Sequence, residues 1–405
     1  WKFIKKYWIN HVYHKCYKGK MMKMMKKQKV GLVTYCAGNQ GSALQCYATQ
    51  KYLAKKGLDC KLFTRYETGI ARIFQSLEYR LGAYGKLLKF PKYSFVYRKC
   101  RQIQSNTNTM TQESVNAINH FIAENINIER CSWKRLHRLA QSNQYVAFFS
   151  GSDQIWSGVW FLTNRIWFLR FCPKYKRVAW MPSFGSDTIA EYNREIYRRY
   201  ISEYQFLSVR EPEGQKIIYN LTGREVPVLP DPVYLLSADE WRMISTQIAV
   251  ETKYILMFFI SKPNPSAVVY AQRKAAQSHA QIIWLSYDHG LEGTFLDGGP
   301  CEFISYIDKA ELVLTDSFHA CLFSIILSTP FYVYKRTDSS GYMQVGRIQN
   351  LLDKFKMQDR IVEGMPITLN NDWDSNQIRD ILCAEKNKIE KYLKKIIDYY
   401  SRGTE

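Results

Sequence analysis

Short apolar runs alternate along the chain with longer stretches whose apolar positions recur every three or four residues. The runs at 30–35, 60–64, 145–150, 177–181, 206–209 and 226–229 read as buried strands. Those at 254–260, 282–286, 312–315 and 331–334 repeat the pattern in the second half. Helical spacing fills the gaps. Leu44, Ala48 and Tyr52 fall four apart and predict a helix starting at Ser42, which is read as its cap. Further helices are predicted over 111–123, 132–141, 188–201, 212–221, 265–279, 302–310, 347–355 and 374–400, with an apolar one ending at 327. Strands alternating with helices argue for an α/β protein with parallel, doubly wound sheets. The expected plan is two Rossmann-like domains facing across a cleft, at 29–240 and 241–372. A basic, aromatic, irregular insertion is expected near 65–110, and a C-terminal helix in 373–405 is expected to pack back on the body.

Composition adds few surprises. The 405 residues are 46% hydrophobic and 23% charged, which fits globular domains rather than a disordered chain. Ten cysteines are scattered without a CxxC pair or a Cys/His cluster, so neither a zinc site nor a disulfide framework is expected. The thiols then read as reduced and the chain as cytoplasmic. No apolar run reaches membrane-spanning length, and no signal peptide is expected.

The charge does change the picture. The net charge is +21, and residues 1–28 are basic and aromatic, with Trp1, Ile4 and Trp8 at helical spacing among lysines. That segment reads either as an interfacial helix on the anionic inner face of a membrane or as a solvated basic terminus. No nucleic-acid motif accompanies the charge, and nucleic acid is not expected as a partner.

In open parallel sheets, ligands bind beyond the carboxyl ends of the strands. The polar residues at those ends are Asn39, Asp153, Ser183, Arg210, Asp231, Asp316 and His319. Each has a bland reading: Asp153 as a helix cap, Asp231 between two prolines as a turn residue, His319 as a core histidine. Their recurrence at successive strand ends favours a site. Gly38-Asn39-Gln40-Gly41-Ser42, joining the first strand to its helix, is a small-sided turn that aims backbone N–H groups at an anion or sugar.

The stretches "FFSGSDQIW", "SFGSD", "SVREPEG", "LPDPVYLL", "LTDSFHACLFSIIL" and "GRIQNLLDKF", after the opening strand–turn–helix, occur in the order seen in polysaccharide pyruvyl transferases. Together they cover residues 29–357, and the chain resembles that family. The resemblance implies a fold like that of the B-type glycosyltransferases. It also implies transfer of pyruvyl from phosphoenolpyruvate to two hydroxyls of a saccharide, lipid-linked or free, giving a cyclic ketal. Donor binding then falls to Arg210, Ser317, Phe318, His319 and Arg347. The acceptor side falls to Asn39, Gln40, Gly41, Ser42 and Ser183. His319 and a carboxylate handle protons, with Asp153 preferred and Asp316 the competitor. No cofactor and no metal are called for. Two positions depart from the family pattern: Ser42, where many members carry Asp or Ala, and Ala320, where many carry Gly. The alternatives are a glycosyltransferase using a nucleotide sugar and a non-catalytic, membrane-surface component of a polysaccharide assembly.

Overall fold

The computed structural model describes residues 28–103, 110–248, 250, 252–336, 341–366 and 374–402. The basic segment before residue 28, for which an interfacial helix and a solvated terminus are both expected, lies outside them.

The first half runs β1 (Gln28–Val33), α1 (Gln40–Lys55), β2 (Leu58–Arg65), α2 (Gly69–Lys89), α3 (Ser94–Ile103), α4 (Gln112–Asn125), β3 (Ile128–Cys131), α5 (Trp133–Gln141), β4 (Tyr145–Ser150), β5 (Arg177–Ala179), α6 (Glu191–Ser202), α7 (Pro212–Thr222) and α8 (Ala238–Arg242). The second runs β6 (Tyr254–Phe258), α9 (Pro265–Ser278), β7 (Gln281–Leu285), β8 (Thr294–Leu296), α10 (Pro300–Lys309), β9 (Leu312–Thr315), α11 (Phe318–Leu327), β10 (Phe331–Tyr334), α12 (Gly341–Phe355), β11 (Ile361–Val362) and α13 (Ser375–Arg402).

Each half builds one all-parallel sheet. The orders are β3-β2-β1-β4-β5 and β11-β10-β9-β6-β7-β8. Both reverse direction at one point, between β1 and β4 in the first sheet and between β6 and β9 in the second. Such a reversal parts the connections above the strand ends and opens a crevice there. The registers bring Val33 level with Ser150, and Phe258 level with Thr315. The loops leaving these four strands therefore start side by side.

One apolar cluster spans both halves. It runs from Val30, Leu32 and Leu44 through Trp241 to Phe303 and Phe323. Trp241 stands 6.0 Å from the Tyr47 ring and 5.0 Å from that of Phe323. Helix α1 lies between the two halves, which explains why its polar residues are buried as well as its apolar ones. Gln40 donates to Ser286 Oγ at 2.8 Å and to the Gly298 carbonyl at 3.0 Å, stitching α1 to the second half. Helix α13 returns to the first half, where Tyr392 donates to the Ala179 carbonyl at 2.9 Å.

Three expectations need correction. The stretch at 65–110 is regular rather than irregular, since α2 and α3 occupy most of it. The segments 206–209 and 226–229 make only isolated bridges, Val178 to Phe206 and Val209 to Val228. Pro227 and Pro230 remove the N–H groups that a ladder needs. The cap of α1 is Asn39, whose side chain accepts from Ser42 N at 2.8 Å, and Ser42 lies inside the first turn. Among the described residues no helix is long and apolar enough to cross a membrane, and Cys36, Cys46, Cys60, Cys131 and Cys172 are free thiols.

Candidate active site

The two crevices face each other and enclose a cavity of about 150 Å³. Its first-half lining is Asn39, Gln40, Gly41, Ser42, Asp153 and Gln154. The second half contributes Ser317, Phe318, His319, Arg336 and Arg347, with Phe258, Ile260 and Phe303 as an apolar floor. Larger hollows, of about 910 Å³ beside α2 and about 1140 Å³ near the end of α13, lie away from both crevices. Chemistry therefore points to the smaller one.

Two helix N-termini meet at this cavity. Asn39 caps α1, and Ser317 caps α11, its hydroxyl accepting from Ala320 N. The first-turn N–H groups of Gln40, Gly41, Phe318 and His319 have no partner within their own helices, so they are free to meet an anion. The helices approach so closely that a side chain at Gly41 has no room. A Cβ there would stand 2.1 Å from His319 Nδ1. Gly41→Ala is expected to push the imidazole aside and lower kcat by about 10²-fold, the scale of a misplacement near 1 Å. Melting temperature should fall as well, because the Cβ also runs into His319 Cγ, the anchored end of the ring, and that overpacking outweighs alanine's helix preference. Turnover and melting temperature check this, and an unchanged kcat refutes it.

His319 has a second constraint. Its Nε2 lies 3.6 Å from Asp231 Oδ2, and the same carboxylate receives Arg210 Nη1 at 2.5 Å. Asp231 also accepts from Val233 N at 3.0 Å, so it holds the turn and orients Arg210 and His319 at once. Burial alone would raise its pKa. The Arg210 charge, His319 and the Val233 N–H override that and hold the carboxyl at about 2. A folded-state pKa below the unfolded one gives stability that is full above about pH 5 and is lost as pH falls toward about 2. Urea midpoints should drop with acid more steeply in the parent than in Asp231→Asn. Equal slopes would show that the pair adds nothing.

Arg210 does not line the cavity. Its guanidinium lies behind Phe318, 5.4 Å from the ring centroid, and is committed to Asp231. The cations that do line it are Arg336 and Arg347. Arg336 Nε sits 3.3 Å from Asp316 Oδ2. Arg347 lies over the other part of the Phe318 ring, at 5.5 Å. With the Gln154 amide turned to suit its neighbours, its oxygen accepts from the two Arg347 Nη atoms at 2.7 and 3.2 Å. Among the described residues no carboxylate pairs with Arg347. Burial, then the neighbouring Arg210 charge, pull its pKa down to about 10.

The carboxylates divide by environment. Asp153, at the end of β4, is partly exposed to the cavity; Ser42 Oγ donates to its Oδ2 at 2.5 Å. Gln45 holds the two loops together, donating to the Tyr35 carbonyl at 2.7 Å and accepting from Ser152 N at 3.4 Å. Asp316 is buried and saturated: Ile260 N, Ser261 N, Ser261 Oγ and Arg336 all converge on it. It positions Arg336 rather than His319. Ser183 is turned away, donating to Glu211 Oε1 at 3.0 Å. Arg336 escaped the sequence reading, although it lies two residues beyond β10 and the strand-end rule applied there would have found it.

The sequence model of the family described as polysaccharide pyruvyl transferase matches residues 39–338, most of the chain and most of this site. The chain belongs to the polysaccharide pyruvyl transferase family. No curated protein sequence matches it. Solved structures with a related outline include a UDP-GlcNAc 2-epimerase from Neisseria meningitidis bound to UDP-GlcNAc, at 11% identity and a TM-score of 0.44, covering 88% of this chain and 98% of the other. Another is UGT2 of Phytolacca americana complexed with UDP-2fluoro-glucose and pterostilbene, at 10% identity and a TM-score of 0.46, covering 93% and 99%. The glycosyltransferase SnogD of Streptomyces nogalater matches at 9% identity and a TM-score of 0.41, covering 91% and 96%. As a transferase family that modifies polysaccharides, it implies a saccharide acceptor. The family's cavity here is a cationic pocket with one partly exposed carboxylate.

Proposed function

We propose that this family member transfers a pyruvyl group from phosphoenolpyruvate to two hydroxyls of a saccharide, forming a cyclic ketal. The observation that carries the reading is Arg347, an enclosed cation without a carboxylate among the described residues, facing a cavity where two helix N-termini converge. Such a setting calls for a small, multiply charged anion. Phosphoenolpyruvate carries a phosphate and a carboxylate on three carbons. A cavity of about 150 Å³ is well under the usual range for larger ligands, about 300–1,000 Å³, so it favours this donor over a nucleotide sugar.

The reaction balances with groups at hand. A proton added to the enol methylene leaves an oxocarbenium-like carbon. One sugar hydroxyl attacks it and yields its proton to a base. Phosphate departs with the C–O bond electrons, and the second hydroxyl closes the ring. One hydroxyl proton replaces the one placed on the methyl group, and the other accompanies phosphate. His319 and Asp153 both line the cavity and suit the acid and base roles. Arg347, Arg336 and the α1 and α11 N-termini meet the donor's charge.

The test is to incubate the full chain with phosphoenolpyruvate and candidate acceptor saccharides. Phosphate release with an acceptor that gains the mass of pyruvic acid less one water supports the reading. Release of a nucleoside diphosphate from a sugar nucleotide overturns it.

A further inference from the structure

Helix α2 turns one face onto its domain and leaves the opposite face bare. Inward, Lys86 donates to the Phe161 carbonyl at 2.7 Å, and Glu78 pairs with Arg165 at 2.6 Å. Outward, Ile70, Ile73, Phe74, Leu77, Leu81 and Leu88 recur at three- and four-residue steps, with Tyr84 among them. Phe74 is 66% exposed, Leu81 69% and Leu88 85%. Scattered exposed apolar residues are ordinary, but an unbroken line along one helix is a continuous apolar face.

Two further observations say what that face meets. The segment itself is strongly basic: residues 69–103 hold eight Lys and Arg against Glu78 alone. Lys89 and Lys92 pair with Glu195 and Glu191 of α6, while Arg72 and Arg80 are exposed beside the apolar line. A second copy of the chain would set this cationic belt against an identical one. A bilayer with anionic headgroups complements the apolar line and the cations together. The inward side of the same helix reaches toward the cleft. Tyr35, which follows β1, lies within electrostatic reach of both Asp153 in the cavity and Tyr79 on α2.

We propose that the outward face of α2 seats in the interface of an anionic bilayer and holds the cleft mouth near the lipid surface. Docking itself does not depend on the transfer chemistry. Only its use, access to a saccharide carried on a lipid, rests on the acceptor reading above.

The test is sedimentation of the full chain with vesicles of phosphatidylcholine containing phosphatidylglycerol, against the triple variant Phe74→Ser, Leu77→Ser, Leu81→Ser. These side chains lie outside the core, so the melting temperature should be kept. Measurement at raised salt screens attraction by lysines alone, including those before residue 28, and leaves apolar insertion in view. The variant is expected to lose at least about tenfold in partitioning, because fully burying even one such side chain is worth that much. Parent binding that fails to exceed the variant's overturns the proposal. So does a parent dimer, dissolved by the variant while vesicle binding stays equal, since the face would then be a self-contact. Phosphate release from phosphoenolpyruvate with a soluble acceptor is measured beside it, and its absence would bear on the proposed function alone.

Discussion

Asp153→Asn should lower kcat by about 10²- to 10⁴-fold while phosphoenolpyruvate affinity hardly changes, the span expected for a lost general base. Asp153 is the carboxylate in the cavity that keeps solvent exposure and has Ser42 Oγ as its side-chain donor. An amide of the same shape keeps the Gln154 N–H bond with its oxygen and turns its NH2 to donate to Ser42 Oγ, so the loop stays in place and basicity is removed. Asp316 supplies the contrast. Its oxygens receive two backbone N–H groups, a hydroxyl and Arg336. Asp316→Asn should therefore lower stability and weaken donor binding through Arg336, with a smaller fall in kcat. Single-turnover rates and donor titration separate the two variants. Near-parent kcat in Asp153→Asn would move the base elsewhere.

Arg347→Met should move two quantities in opposite directions. Donor binding is expected to weaken by about 2–5 kcal/mol, the usual cost of truncating one member of a desolvated charge pair. That is ~30- to 4,000-fold in Kd. Stability of the free protein should rise, because the variant removes an enclosed cation that has no salt-bridge partner among the described residues, feels Glu211 and Asp153 only at longer range, and keeps its Nε buried without an acceptor. Calorimetric titration with phosphoenolpyruvate and urea unfolding read the two effects. A residue that merely braces the domain would lose stability on truncation, and that result would remove Arg347 from the donor site.

The alternation of strands and helices was legible because buried parallel strands and amphipathic helices differ in period and length. The strand-end rule also picked out Asn39, Asp153 and His319, which the structure brings to one cavity with Gln40, Gly41, Ser42 and Ser317. Partner choice was less legible. Arg210 sits at a strand end but spends its charge on Asp231, a strand-end residue whose flanking prolines also fit a plain turn. Ser183 meets that rule as well, and Glu211 claims its hydroxyl. Nothing local marks these commitments, since each pairs residues more than twenty positions apart. The aromatic segment between β4 and β5 has no period to read, yet Trp156 and Phe168 stack in it at 5.5 Å and fill the core. The asparagine cap was missed for a smaller reason: Asn39 and Ser42 are both good caps, and only the helix start decides between them.

The return of α13 to the first half bears on how substrates enter. The chain crosses between the halves once after α8 and again between β11 and α13, where Tyr392 and Tyr400 tie it down. Two pinned crossings act like the two pins of a door. They would limit sliding and twisting between the halves and favour a swing about the line that joins them. A swing of that kind would part His319 from Gly41, so the cavity stands complete only with the two halves closed on each other.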